Sequence, residues 1–142
     1  MRFMLHVRAD RDTEAGVPPG RELVAAMGKF NEEMIKAGVL LAADGLQPSA
    51  KGARILFAGR ERNVIDGPFA DPQELIAGFW MIQVNSKEEA IAWAKRVSFE
   101  GGAIDIRQVF EPSDFPPEIL PVEEAAREQA WREQQNRNAP AG

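Results

Sequence analysis

The sequence predicts an α+β fold, a mostly antiparallel sheet with two helices on one face. Three observations carry this. Apolar residues alternate with period two over residues 2–8, 77–84 and 103–110, as in strands with two different faces. Two helical stripes, over 21–37 and after Ser86, separate strands in the order strand, helix, strands, helix, strand. No internal repeat or low-complexity segment interrupts that order. The simplest arrangement is a ferredoxin-like βαββαβ sandwich with an extra hairpin and a C-terminal helical tail.

Each element has its own warrant. In the first strand Phe3, Leu5 and Val7 point one way, and Met4, His6 and Arg8 the other. Residues 9–20, rich in Asp, Gly and Pro, read as a loop. Leu23, Ala26/Met27, Phe30 and Met34 make one helical stripe, and Gly38 is its C-terminal stop. Val39–Ala43 is a short strand that Asp44-Gly45 should end. Residues 53–58 and 62–66 read as a hairpin around Gly59. Then Phe79 and Met81 face one side of a strand, and Trp80, Ile82 and Val84 the other. Ser86-Lys-Glu-Glu89 is a capping box, opening a helix with the stripe Ala90, Trp93/Ala94 and Val97 that Gly101-Gly102 breaks. The last strand puts Ile104 and Ile106 inward, Asp105 and Arg107 outward. In the ferredoxin-like order the first and last strands should be neighbours in the middle of the sheet, setting His6 and Arg8 beside Asp105 and Arg107 on the face that the helices leave bare. That face is too apolar for water and too polar for a dry core, which predicts a homodimer packing two such faces around a partly polar cavity.

The domain should span residues 1–110, with 111–142 a Pro-rich linker and an acidic helix. Pro112, Pro116, Pro117 and Pro121 preclude regular structure up to 121. The helix beyond has only the thin stripe Val122, Ala126 and Ala130, so it should dock on its own domain or a partner subunit, anchored by Trp131.

Composition narrows the function. A chain of 142 residues buries roughly 68–70% of its unfolded surface. It has no cysteine, which excludes disulfides, thiolate catalysis and Cys-ligated zinc, and its single histidine leaves little material for a His-rich metal site. Net charge is −5, of which residues 111–142 carry −4, so no basic stripe is present and nucleic acid is not an expected partner. Apolar runs are too short to span a bilayer, and the N-terminus turns charged too early for a secretory segment, so no membrane partner and a cytoplasmic location are expected. Neither a nucleotide fingerprint nor a P-loop is present, and no cofactor or metal is expected.

The best candidate for a site is the stretch Val64–Val84, which breaks at Asp66-Gly67-Pro68 and carries Asp66, Asp71 and Glu74 beside the ring of Phe69. Gly67 supplies the positive φ of a tight turn, and Pro68 fixes the next φ. Asp66 reads evenly as a general base or as a residue satisfying its own turn. Asp44 reads as a turn cap or, with Asp66, as half of a carboxylate pair dividing acid and base work. His6 is either an interior hydrogen-bonded histidine or a catalyst. Arg107 either binds a substrate carboxylate or pairs with Asp105. Trp80 and Phe69 read as cavity wall or core, and Glu74 as a ligand contact or the start of a helical turn.

The run Asp66-Gly67-Pro68-Phe69-Ala70, with Gly78-Phe79 after it and Ala43-Asp44-Gly45-Leu46-Gln47-Pro48 before it, resembles the DGPF signature of YCII-related proteins. The likeness covers residues 1 to about 110 and implies a dimeric α+β barrel. It implies little about activity. Related barrels host isomerases, monooxygenases and a dechlorinating lyase, and DGPF members are often associated with sigma-factor genes. Smaller YCII proteins are proposed to use a histidine near the start of the first helix, which has no counterpart here. The usual Glu-Thr-Lys-Glu is Asp71-Pro72-Gln73-Glu74. Two classes of function follow: an enzyme on a small polar or aromatic molecule, with proton transfer by Asp66, Asp44 or His6, and a non-catalytic ligand-sensing accessory of transcription.

Overall fold

The computed structural model describes residues 1–138. Its elements are β1 (Arg2–Arg8), α1 (Arg11–Glu14), α2 (Arg21–Lys36), β2 (Leu40–Gly45), β3 (Ala53–Ala58), β4 (Glu61–Asp66), β5 (Ile76–Gln83), α3 (Lys87–Ala94), β6 (Ile104–Gln108) and α4 (Val122–Asn138). Four strands form one antiparallel sheet in the order β2-β5-β1-β6, which is the ferredoxin-like arrangement. β3 and β4 pair only with each other, as a separate two-stranded sheet.

The apolar alternation decides which face is covered. Phe3 and Leu5 of β1 and Trp80 and Ile82 of β5 meet Phe30 and Met34 of α2 and Ala90 of α3 in one buried cluster. At the centre the Phe30 ring stands edge-on to Trp80, centroids 5.4 Å apart, and the Trp80 indole N–H donates to Asn31 Oδ1 at 2.7 Å. That bond satisfies the only polar atom of the indole, so the ring can be buried whole. α2 and α3 therefore lie on one face, and among the described residues the other face of the sheet is bare.

Local signals account for the boundaries. α2 ends in a Schellman motif, with the Gly38 N–H on the Ile35 carbonyl, the Val39 N–H on the Met34 carbonyl, and Gly38 at φ +75°. Ser86 caps α3 by accepting the Glu89 N–H at 3.1 Å, while the Glu89 carboxylate reaches back to the Asn85 N–H.

Several expectations are corrected. The 9–20 segment is not wholly a loop: α1 sits there, opened by a reciprocal capping box between Asp10 and Thr13. Asp44-Gly45 does not end β2 but lies within it, because the ladder to β5 runs on through Gly45 opposite Gly78. α3 stops at Ala94, and Val97 packs against the core from the turn that follows. β1 and β6 are neighbours, yet β6 is an edge strand, and β1 and β5 are the middle pair. Proline does not forbid a 3₁₀ turn at Pro112–Asp114, since Pro is tolerated at the first position of a turn. Within its own chain the tail helix is not anchored by Trp131, which stays 60% exposed. An arginine does that work instead. Arg132 donates to the Phe110 carbonyl at 2.7 Å and pairs with Glu111 at 3.2 Å, while Glu111 also binds Arg2 at 2.7 Å.

Candidate functional site

The bare face of the sheet is laid out by register alone. Reading across β2, β5, β1 and β6, one row is Asp44, Phe79, His6 and Asp105, and the next is Ala42, Met81, Met4 and Arg107. Rows between them point into the core. Neighbouring strands lie roughly 4.8 Å apart, so His6 and Asp44, two strands apart, flank the Phe79 ring with about 10 Å between their backbones. An aromatic and sulfur-rich floor thus lies between a histidine and a carboxylate. His6 is half-buried and, among the described residues, makes no hydrogen bond, which leaves both ring nitrogens available. Asp105 is taken up by Arg8, whose guanidinium lies 3.1 Å away. Among the described residues Arg107 has no ion pair, so the pairing of Arg107 with Asp105 is replaced by Arg8 with Asp105. An open groove of about 460 Å³ runs from His6 and Arg107 around the edge of β6 to Lys87 and Ile91 of α3. Among the described residues no three His, Cys, Asp or Glu side chains come together in a way that would hold a metal ion.

The signature turn stands at the rim of this face. The Gly67–Pro68 peptide bond is cis. Gly67 does not adopt a positive φ, contrary to the reading from sequence, and its requirement for glycine is steric. A Cβ at that position would lie 1.7 Å from the Ser49 carbonyl oxygen, so the two backbones touch. Ser49 organises the turn: its hydroxyl accepts the Phe69 N–H at 3.0 Å and donates to the Glu14 carboxylate, which also accepts the Ser49 N–H at 3.0 Å. Arg8 donates to the Gln73 carbonyl and so fastens the same loop to β1.

The other predicted residues fall as follows. Asp66 ends β4 at the hairpin base, exposed, and its carboxylate makes no hydrogen bond or ion pair among the described residues. Asp71 caps the 3₁₀ turn Pro72–Glu74 by accepting the Gln73 N–H at 3.0 Å, and Glu74 lies in that turn. Phe69 is half-buried under the guanidinium of Arg54, 4.1 Å from its centroid. Trp80, at 3% exposure, belongs to the core and does not reach the bare face. The structure therefore puts His6, Asp44 and Arg107 on one face of the four-stranded sheet and Asp66 on the separate hairpin. Sequence reasoning missed Phe79 as the floor of the face, and Glu14 and Ser49 as the supports of the turn. Asp10-x-x-Thr13 was a readable sign of the helix that delivers Glu14, whereas nothing in the spacing of Ser49 reveals its contact.

Comparison with known proteins now adds one decisive finding: the YCII-related domain model matches residues 1–113. The chain belongs to the YCII-related family. An uncharacterized protein of Rhizobium meliloti (strain 1021) is 30% identical over 101 residues, covering 68% of this chain and 78% of the relative. Among solved structures, 5-chloro-2-hydroxyhydroquinone dehydrochlorinase (TftG) from Burkholderia phenoliruptrix AC1100, in complex with 2,5-dihydroxybenzoquinone, aligns over 82% of this chain and 100% of its own. The identity is 12% and the TM-score 0.42, a likeness that says nothing about shared chemistry. Membership in the YCII-related family does not by itself assign a reaction.

Proposed function

We propose that this YCII-related protein binds a small polar or aromatic molecule on the bare sheet face, over Phe79 and between His6 and Asp44. The row Asp44–Phe79–His6–Asp105 is the observation that carries the reading. A single six-membered ring fits over Phe79 with substituents reaching a carboxylate on one side and an imidazole on the other. Arg107, in the adjacent row, suits a carboxylate on the same molecule. Small aromatic hydroxy acids meet all three conditions. Histidine exchanges protons near neutral pH, so His6 is assigned proton transfer on the bound molecule and Asp44 the orientation of its hydroxyl. Asp66, Asp71, Glu74 and Phe69 are assigned the rim. A second copy closes the space above the face.

Thermal-shift measurements with 4-hydroxybenzoate, other phenolic acids and halogenated phenols test this. A compound at about 100 times its dissociation constant adds roughly 2.7 kcal/mol and raises the melting midpoint by several degrees. His6→Ala and Asp44→Asn are expected to keep the unliganded midpoint nearly unchanged, Phe79→Ala to lower it, and all three to weaken binding at least tenfold, about 1.4 kcal/mol. Asp66→Asn is expected to weaken it less. Equal stabilisation of wild type and all three face variants would refute the site.

A further inference from the structure

Among the described residues the β3–β4 hairpin pairs with no other strand. Every residue of both strands is exposed. The register puts Ile55, Phe57, Val64 and Arg62 on one side, with Leu56 and Ile65 beside Arg54 on the other. These five apolar side chains remain between 43% and 71% exposed. A two-stranded ribbon is marginal in water by itself, so one this apolar needs a surface to pack against. Its exposed apolar surface, on the order of 500 Å², is as large as the largest patch on a typical monomer. The exposure also shows that the hairpin does not lie on its own sheet.

The base of the hairpin is firmly planted. The Gly67 N–H donates to the Gly52 carbonyl at 3.0 Å, Ser49 holds Phe69, and Glu14 holds Ser49. The preceding segment is tied to β5 by the Leu46 N–H on the Ala77 carbonyl at 2.8 Å, one residue past the strand end that carries Asp44. The hairpin thus springs from the rim of the bare face without covering it.

We propose that the hairpin is an arm that crosses a two-fold axis onto the bare face of a second copy, so that each site is roofed by the other chain. The occupant follows from what one chain leaves uncovered: an apolar arm, and a face carrying Met4, Phe79 and Met81. One isologous operation covers both surfaces on both copies. Charge permits it. The arm holds three arginines against two acids in a chain of net charge −5, with the Arg62 guanidinium 4.7 Å over the Phe57 ring, and on the face Asp44 makes no ion pair among the described residues, whereas Asp105 is held by Arg8. Reach agrees as well. Six residues extend roughly 20 Å, more than the roughly 14 Å across a four-stranded sheet. A stable specific interface buries roughly 800 Å² per partner, more than the arm alone presents, so the face beneath it belongs to the same interface. The proposal deepens the site reading and rests on it for what lies beneath the arm.

A chain without cysteine allows a clean test. Phe57→Cys protein is mixed with Met81→Cys protein and oxidised, with Lys36→Cys, exposed at the end of α2, as control. The expected result is a two-chain disulfide joining positions 57 and 81, at least tenfold above the control. Cross-linking no better than the control overturns the proposal, as does a doubly substituted chain that closes on itself as a monomer. Light scattering gives a second reading. The unsubstituted chain is expected at twice 15.7 kDa, and the variant Phe57→Glu/Val64→Glu at 15.7 kDa with an unchanged circular dichroism spectrum. An unsubstituted chain at 15.7 kDa would equally overturn it. A 57–81 cross-link in a protein that binds none of the screened acids removes the ligand and keeps the arm; binding without the cross-link does the reverse.

Discussion

Gly67→Ala is expected to lower the melting midpoint by roughly 10 °C and to free the base of the hairpin. The added methyl would sit 1.7 Å from the Ser49 carbonyl oxygen, 2.6 Å from its carbon and 3.2 Å from the Ala50 nitrogen. All three are backbone atoms, so no side chain can rotate away. The turn must separate from the 3₁₀ turn Ser49–Lys51, which removes the Gly67 N–H bond to Gly52 and the Phe69 N–H bond to the Ser49 hydroxyl. Two lost hydrogen bonds at about 1 kcal/mol each, with the displacement, give on the order of 3 kcal/mol. At this chain length each kcal/mol shifts the midpoint by roughly 3–4 °C. Hydrogen exchange at Gly67 and Phe69 should accelerate in step. Gly52→Ala is the control: a Cβ there lies 3.6 Å from the same oxygen, and the backbone is extended, so its effect stays within about 0.5 kcal/mol. Equal midpoints for Gly67→Ala and wild type would show that the two backbones do not touch in solution.

The second large effect lies in the core. Phe30 is 5% exposed and presents its ring edge-on to Trp80 at 5.4 Å and to Trp93 at 6.2 Å. It is the side chain through which α2 meets both the sheet and α3. Phe30→Ala is expected to destabilise the fold by about 3–5 kcal/mol, roughly a fifth or more of the stability of an ordinary domain. Denaturant unfolding measures it, and the combined Trp80 and Trp93 fluorescence in a Trp131→Phe background should shift to the red as the indoles beside Phe30 gain water. A loss below about 1 kcal/mol would mean that the site collapses around the cavity or that α2 packs elsewhere.

Much of this architecture was legible in the residues. The alternation Phe3-Met4-Leu5-His6-Val7 sorts the faces of β1 correctly, and the same rule places Asp105 and Arg107 on the bare side. Ser86 with Glu89, and Gly38 after α2, mark helix ends because the capping contacts are local. What failed was whatever depends on distant partners. Asp44-Gly45 has turn chemistry, yet cross-strand pairing with Phe79 and Gly78 carries β2 through it. Gly67 was rightly marked as obligatory for the wrong reason, since a positive φ is a local property and the approach of Ser49 is not. Trp131 promised an anchor by size alone, whereas Arg132 holds the helix through Glu111, a residue 21 positions away.

The candidate site was legible in part for the same reason. His6, Asp44 and Arg107 were each visible as chemistry-bearing residues, but their alignment in rows depends on the register of three strand pairs. Phe79 was visible only as an apolar strand residue until His6 and Asp44 were placed on either side of it.

The most direct measurement is a methyl-resolved NMR titration of the ¹³C-methionine-labelled protein with 4-hydroxybenzoate and the phenolic acids of the thermal screen. Met4 and Met81 lie on the bare face beside the row of His6 and Phe79, whereas Met34, on α2, is wholly buried in the core on the other side of the sheet. Binding over Phe79 is expected to move the Met4 and Met81 signals together, to leave Met34 in place, and to do neither in Phe79→Ala. A stabilising compound that leaves Met4 and Met81 unmoved would contradict a site on this face.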